Sequence, residues 1–325
     1  MKNRVLVTGA GGYIGSHMCA ILSDRGDFVV GLDNLENGYL DAIRANVVVI
    51  ADVANKSVVA NVLDTHDIDT VIHFAGYIQV GESMQDPAKY FENNFSNAAS
   101  LLSAMHQCGI DQFIFSSTAA VFGNPITTPI DENHPKHPIN PYGRSKLFLE
   151  EMCADLANAR GLKSVSLRYF NAAGARPDGT LGERHEPETH LIPLAIDAAL
   201  GKRPPLKLFG TDYPTPDGTC VRDYIHIHDL CDAHVAAMDY LRAGHPTACF
   251  NLGNGVGFSV LEVIRAVEKA VGRPVPYVVE SRRQGDPPSL VGDSTLAREK
   301  LEWKPKRANL ETIVADAVRW HLRGG

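Results

Sequence analysis

The sequence contains no C-x-x-C pair. Its six cysteines (Cys19, Cys108, Cys153, Cys220, Cys231 and Cys249) lie scattered along 325 residues. That spread argues against a disulfide framework and fits free thiols in a reducing compartment. No apolar run approaches the length of a membrane span, and MKNRVLVTGAGG enters a strand pattern without a signal-peptide apolar core. Excess positive charge is missing too. A net charge of -7 argues against a nucleic-acid or anionic-membrane surface, while leaving room for a local basic pocket. Internal repeats and low-complexity tracts are absent as well. What remains, 44% hydrophobic and 21% charged, is an ordinary globular composition with enough length for a substantial core. The expected compartment is the cytoplasm, with no nucleic-acid or membrane partner.

The first half alternates short apolar runs with helical patterns. RVLVTG, FVVGLD, NVVVIADV, VIHFAG, FIFSST and SVSLRYFN read as strands, and helical stretches fall near 56–65, 87–108 and 141–160. Such alternation predicts an α/β fold, a doubly wound parallel sheet covered on both faces. Fully apolar runs such as NVVVI suit strands buried on both sides. After about residue 170 the chain turns rich in Gly, Pro and charge, which predicts a smaller, irregular α/β part supplying a pocket. The expected division is 1–170 and 171–325, with VRDYIHIHDLCDAHVAAMDYL (222–242) returning to the first domain.

The first strand runs into TGAGGYIG, with Gly9, Gly12 and Gly15 opening a helix. Glycines there tighten the turn and let backbone approach a pyrophosphate at the helix N-terminus, the Rossmann-type arrangement. Asp33 ends the second strand, where it would hold ribose hydroxyls and repel a 2′-phosphate, so NAD is expected over NADP. Asp52 ends another run, as an adenine contact or a plain loop cap. HFAG (73–76) and FSSTAAVFG (115–123) also fall at strand ends, the ligand edge of such sheets. Thr118 there is either an ST-turn residue or a hydroxyl bridging a substrate oxygen to Tyr142.

The stretch NPYGRSKLFLEE carries the candidate chemistry. Asn140 suits an N-cap and Pro141 the first helical position, placing Tyr142 and Lys146 one turn apart on one face. An ammonium close to a phenol favours the phenolate, which makes a tyrosine a base near neutral pH. The spacing alone decides nothing.

Taken in order, Gly9, Gly12, Gly15, Asp33, Thr118 and Tyr142-x-x-x-Lys146 resemble the extended short-chain dehydrogenase/reductase superfamily. The segments FAGYIQVGESMQDP, RYFNAAGA, LFGTDYPTPDGTCVRDYIHI, FNLGNG and RRQGDPPS narrow the resemblance to the UDP-glucose 4-epimerases along nearly the whole chain. The resemblance implies an isomerase, working as a homodimer, that holds NAD through the glycines with Tyr13, Ile14, Asp33, Asn34, Asp52 and Val53. Phe74, Ala75, Gly76, Asn93, Ser116, Tyr142, Lys146 and Tyr169 would complete the cofactor site. A UDP-sugar would meet Thr118, Tyr142, Asn171, His190 and Leu191. Phe209 would lie near uracil, Arg222 and Arg283 on the diphosphate, and Asp286 on a ribose hydroxyl. Two arginines from separate loops suit such a clamp.

Four positions depart from the family pattern. Thr118 replaces Ser, His190 replaces Asn, and Ile78 stands where several members have Lys near the cofactor. Leu290 stands at the gate of the sugar pocket, where Tyr is associated with excluding N-acetyl sugars. N-acetylhexosamine and pentose substrates therefore stay open, as does a related NAD-dependent nucleotide-sugar oxidoreductase.

Ala119 and Ala120 occupy the positions of a 4,6-dehydratase's acid pair, which argues against elimination of water. A simple reductase would not need the VRDY and RRQGD loops, and a non-catalytic NAD sensor would not need Tyr142 and Lys146. No metal is expected. HIHDLCDAH splits its ligands between strand and helix, and Pro187 breaks the H-E-x-x-H pattern in ERHEPETH.

Overall fold

The computed structural model describes residues 2–283 and 286–324. In the first half, β1 (Arg4–Thr8), β2 (Phe28–Asp33), β3 (Val47–Ile50), β4 (Thr70–His73), β5 (Gln112–Ser116) and β6 (Lys163–Tyr169) alternate with helices. These are α1 (Tyr13–Asp24), α2 (Lys56–Thr65), α3 (Val80–Gln85), α4 (Pro87–Phe91), α5 (Asn97–Gln107) and α6 (Pro141–Arg160). A π-helical turn, Glu92–Ser96, joins α4 to α5. Further on come β7 (Asn171–Ala173), α7 (Leu191–Ala199), β8 (Leu206–Phe209), β9 (Val221–His226), α8 (Ile227–Arg242) and β10 (Ala248–Leu252). The chain continues through β11 (Gly257–Ser259), α9 (Val260–Val271), β12 (Tyr277–Glu280), β13 (Ser289–Leu290), α10 (Thr295–Lys300) and α11 (Leu310–Leu322).

Seven strands form one parallel sheet in the order β10-β6-β5-β4-β1-β2-β3. Successive residues of β1 point to opposite faces: Val5 and Val7 pack with α1 and α8, and Leu6 with α2, α5 and α6. Strand order reverses between β1 and β4, so a crevice opens above their carboxyl ends. The run NVVVI departs from the expected two-sided burial. It forms the edge strand β3, with Val47 and Val49 against the core and Val48 and Ile50 exposed on the other face.

The second part gathers α7, α9, α11 and β8 around its own apolar cluster. Of the stretch 222–242, β9 pairs with β7, β11 and β13 in a separate sheet, and α8 packs on the main one. Strand β10 joins the main sheet beside β6, and Ala297, Leu301 and Trp303 complete the core under α8. The apolar stripe of α8 needs that cover on its far side.

Three histidines are sealed in the interior. Nδ1 of His17 faces Tyr13 O (2.8 Å), that of His234 faces Leu230 O (2.9 Å), and that of His73 faces Thr8 Oγ1 (2.7 Å). Their Nε2 atoms have no hydrogen-bond partner among the described residues, so a second proton would be buried unpaired. Burial accordingly lowers His17 to about 4, His73 to about 3 and His234 to about 4. All three folded values lie below the ordinary 6.5, so the unfolded chain takes up protons first as pH falls. Their contribution to stability is present above pH 6.5 and is lost progressively below it, at about 1.4 kcal/mol per pH unit for each. Urea midpoints measured at pH 7.5 and 5.5 should fall sharply; equal midpoints would contradict this assignment.

Candidate functional site

The glycine turn is built for close approach. Gly9 has φ +70°, and a Cβ there would fall 2.6 Å from Ala75 N. A Cβ on Gly15 would lie 2.0 Å from Gly9 O, so α1 packs directly onto the turn. At Gly12 a Cβ would meet nothing nearer than 3.4 Å, leaving that face open. Gly12 caps α1 without a side-chain acceptor. The first-turn N–H groups of Tyr13, Ile14 and Gly15 thus point at a natural anion position. The Tyr13 side chain turns away, its hydroxyl donating to Gly174 O at 2.6 Å.

Asp33 is buried at the end of β2. Its Oδ2 accepts from Gly11 N–H (2.8 Å) and its Oδ1 from Leu35 N–H (2.7 Å), which fixes the carboxylate. Asp52 caps its own loop through Ala54 N–H (2.8 Å) and accepts from Asn34 Nδ2 (3.0 Å); Val53 beside it is buried. On the other side of β1, Phe74 donates its N–H to Thr8 O (3.0 Å), starting the Phe74-Ala75-Gly76 loop. The loops after β2 and β4 then meet, with the Tyr77 hydroxyl donating to Glu36 at 2.7 Å. Since β2 and β4 flank β1, this bond spans the crevice above the glycine turn. Ile78 next to it is 45% exposed. Asn93 is half-buried and donates to Asn94 Oδ1 (3.0 Å). Its neighbour Asn94 is buried and bonds both N–H (2.8 Å) and C=O (2.9 Å) of Tyr77. An open glycine face, orphan amides and a fixed carboxylate at the strand end suit NAD.

Helix α6 begins as the sequence suggests: Asn140 Oδ1 accepts from Gly143 N–H at 2.8 Å and Pro141 follows. Gly143 lets the helix press on the turn at 119–122, where a Cβ would lie 2.5 Å from Ala120 O. Lys146 is buried and Tyr142 is half-buried. Lys146 Nζ donates to Ser116 O at 3.0 Å and sits 4.9 Å from the Phe115 ring centre. Ser116 Oγ in turn bonds the Tyr169 hydroxyl. The expected lowering of the Tyr142 pKa by Lys146 does not appear in the protein alone. Burial raises the phenol, a hydrogen bond with Thr118 opposes that rise, and burial lowers Lys146 itself to about 8. In a dry site an ammonium engaged elsewhere cannot offset desolvation of the phenolate, so a further positive charge is required.

Beyond Lys146 the helix is pinned by a buried ion pair. Glu150 accepts from Arg168 Nε (2.9 Å) and Nη2 (2.6 Å), and from Ser117 Oγ (2.5 Å). Both charged side chains are under 5% exposed.

The irregular part supplies the opposite wall. Arg283 stacks over Phe209 at 4.1 Å, and Arg222 pairs with Asp286 at 2.7 Å while donating to Pro287 O at 3.0 Å. Gln284 and Gly285 of the RRQGD loop lie outside the described residues. A cleft of about 500 Å³ opens between residues 286–289 and Asn124, Pro125 and Thr128. Asn171 donates to Asp223 O at 2.8 Å, while the Asp223 carboxylate gathers the N–H groups of Asn254, Gly255 and Gly292. Burial raises that carboxyl to about 6. Leu290 stands opposite Arg222 in the β13–β9 pairing and packs with Val121, Phe122 and Ile130. His190 caps α7 ahead of Leu191, with its ring against Glu183 and Glu188. In HIHDLCDAH, His226 Nε2 faces Asp316 (3.2 Å) and its Nδ1 accepts from His228 N–H (3.0 Å), away from the crevice groups.

Residues 5–253 match the NAD dependent epimerase/dehydratase family. The chain belongs to that family. It is 49% identical to a UDP-glucose 4-epimerase of Rhizobium meliloti (strain 1021), covering 99% of this chain and 98% of that protein. A crystal structure of UDP-glucose 4-epimerase from Brucella ovis in complex with NAD superposes with TM-score 0.96 at 46% identity, covering 97% of each chain. The UDP-Glc/GlcNAc 4-epimerase from Campylobacter jejuni matches at TM-score 0.87 and 42% identity, over 99% of each.

Within this epimerase/dehydratase framework, sequence reasoning missed several supporting groups. Glu150 with Arg168, Asn94, and the Glu36–Tyr77 bond all join residues distant in sequence, with no periodic signal connecting them. The acids flanking His185 were visible as a string, but only the loop fold brings them to one point.

Proposed function

We propose that the chain interconverts UDP-glucose and UDP-galactose by removing and returning hydride at sugar C4 through a 4-keto intermediate. The observation that carries this reading is the half-buried Tyr142 phenol beside Thr118, one turn before Lys146, whose Nζ lies against Gly76 at the edge of the glycine-turn crevice. NAD bound in that crevice supplies a reversible hydride acceptor and a positive charge. Tyr142, as phenolate, takes the proton of the 4-hydroxyl, and Thr118 holds a hydrogen bond to the same oxygen. Lys146 orients the Ser116 end of β5 and adds positive charge below pH 8. The 4-keto sugar then turns over and recovers hydride on its opposite face, and Tyr142 returns the proton. Such chemistry needs UDP held firmly and hexose held loosely. Arg222, Arg283, Phe209 and Asp286 grip the remote end, and Asn171, His190 and Leu191 border the hexose. The Glu36–Tyr77 bridge keeps the cofactor from leaving in its reduced state.

We read the protein as a cytoplasmic homodimer. A net charge of -7 and the lack of a membrane-spanning helix among the described residues suit solution. The clustered rings of Phe91, Phe95 and Phe148, the last 40% exposed, offer an outer face on α4, the π turn and α6 for a second copy. Light scattering of the purified chain checks the dimer; a monomer mass would refute it.

Incubation with UDP-galactose and no added cofactor, followed by NMR, should yield UDP-glucose. Inactivity on UDP-galactose, UDP-N-acetylgalactosamine and UDP-arabinose, even with NAD added, would sink the epimerase reading. Leu290 is small enough to leave the gate open to an N-acetyl group. Leu290→Tyr should therefore depress kcat/KM on UDP-N-acetylglucosamine at least about tenfold while sparing UDP-glucose, as a steric ΔΔG of ~1.4 kcal/mol gives. Equal losses on both substrates would remove Leu290 from the gate.

A further inference from the structure

We propose that Glu183, His185, Glu188 and His190, brought together on the loop before α7, bind one divalent transition-metal ion of the Zn²⁺ class. One potential ligand atom from each residue lies within 4.8 Å of all the others. Glu183 Oε1 is 2.7 Å from His190 Nδ1 and 3.3 Å from His185 Nδ1. Glu188 places Oε1 3.2 Å from His190 Nδ1 and Oε2 3.7 Å from His185 Nδ1. Ligands bonded at about 2.1 Å to a tetrahedral ion stand about 3.4 Å apart, within the range these four pairs span.

A second observation points the same way. The Nδ1 atom of His185 is buried and makes no hydrogen bond among the described residues, although two carboxylates face it. A plain ion pair would aim its N–H at one of those oxygens, as His190 Nδ1 faces Glu188 Oε1 at 3.2 Å; His185 does not. A metal ligand instead turns its lone pair toward a shared centre. The two carboxylates are also 6% and 9% exposed and lie side by side, a repulsion that a dication between them removes.

The surroundings resemble a supporting shell. Glu188 Oε1 already accepts from the N–H groups of Thr189 (2.7 Å) and His190 (2.8 Å), which orients its Oε2 toward His185. The His185 ring stands edge-on to Tyr13 at 6.4 Å, and Glu183 O accepts from Trp320 Nε1 at 3.0 Å. Two imidazoles with two carboxylates favour a borderline ion over Mg²⁺ or Ca²⁺, which take oxygen ligands. An ion here would fasten the first residue of α1, the 174–190 loop, the start of α7 and α11 to one another. Its role is structural.

The test uses the full chain after chelation and dialysis, titrated with Co²⁺ and followed by the visible absorption of tetrahedral cobalt. One equivalent should bind, Zn²⁺ should displace it, and Zn²⁺ should raise the melting temperature of the chelated protein. His185→Gln and Glu188→Gln should each weaken binding by about tenfold or more, with circular dichroism showing that they fold. Wild-type protein taking up less than about a tenth of an equivalent would overturn the proposal whatever the variants do. So would binding that is unchanged in folded His185→Gln.

Discussion

Tyr142→Phe is expected to lower turnover by about 10²–10⁴-fold, the usual worth of a positioned general base. The substitution keeps the ring, which packs edge-on to Tyr90 at 6.4 Å, and removes only the atom that bonds Thr118. KM for UDP-galactose should change little, because the groups proposed to hold UDP (Phe209, Arg222, Arg283 and Asp286) are untouched. NAD content of the purified protein should equal that of wild type, since the glycine turn and Asp33 lie on other elements. Thr118→Val should give a smaller loss, as it removes one hydrogen bond and leaves the phenol. Turnover of Tyr142→Phe within about threefold of wild type would rule Tyr142 out as the proton acceptor. A rise in KM with kcat preserved would make it a binding residue instead.

Arg168→Ala is expected to cost about 3–5 kcal/mol of stability, because it leaves Glu150 charged and buried with only Ser117, among the described residues, to bond it. The loss should appear as a lower urea midpoint. Activity should fall with it, since Glu150 lies one turn beyond Lys146 on α6 and sets how that helix seats against β6. Replacing both partners by apolar residues of similar volume, Arg168→Met with Glu150→Leu, should recover most of the loss. A cost below about 1 kcal/mol for Arg168→Ala would mean that water reaches Glu150 or that its proton is retained. Full stability with lost activity would make the pair a functional element rather than a structural one.

Much of the cofactor half was legible without coordinates. Strand–helix alternation reports a parallel sheet because buried strands need apolar runs and crossovers need helices. The glycine turn is legible because backbone at positive φ, or backbone that must touch backbone, admits little else. Asn140, Pro141, Tyr142 and Lys146 could be placed because capping and one-turn spacing are local rules. The edge position of β3 was not legible, since strand order depends on what covers each face. Nor was the rise in the Tyr142 pKa, which is set by the dryness of the pocket rather than by the distance along the helix to Lys146.

The class of fold, the glycine turn with Asp33 at the end of β2, and the helix that carries Tyr142 and Lys146 are written in the sequence, because each is specified within a few residues. The Glu150–Arg168 pair, the bonds of Asn94, the bridge from Glu36 to Tyr77 and the meeting of Glu183, His185, Glu188 and His190 came with the folded chain alone. These join groups through burial and long-range closure, and their energies exist only once water has been excluded and the partners share one low-dielectric place.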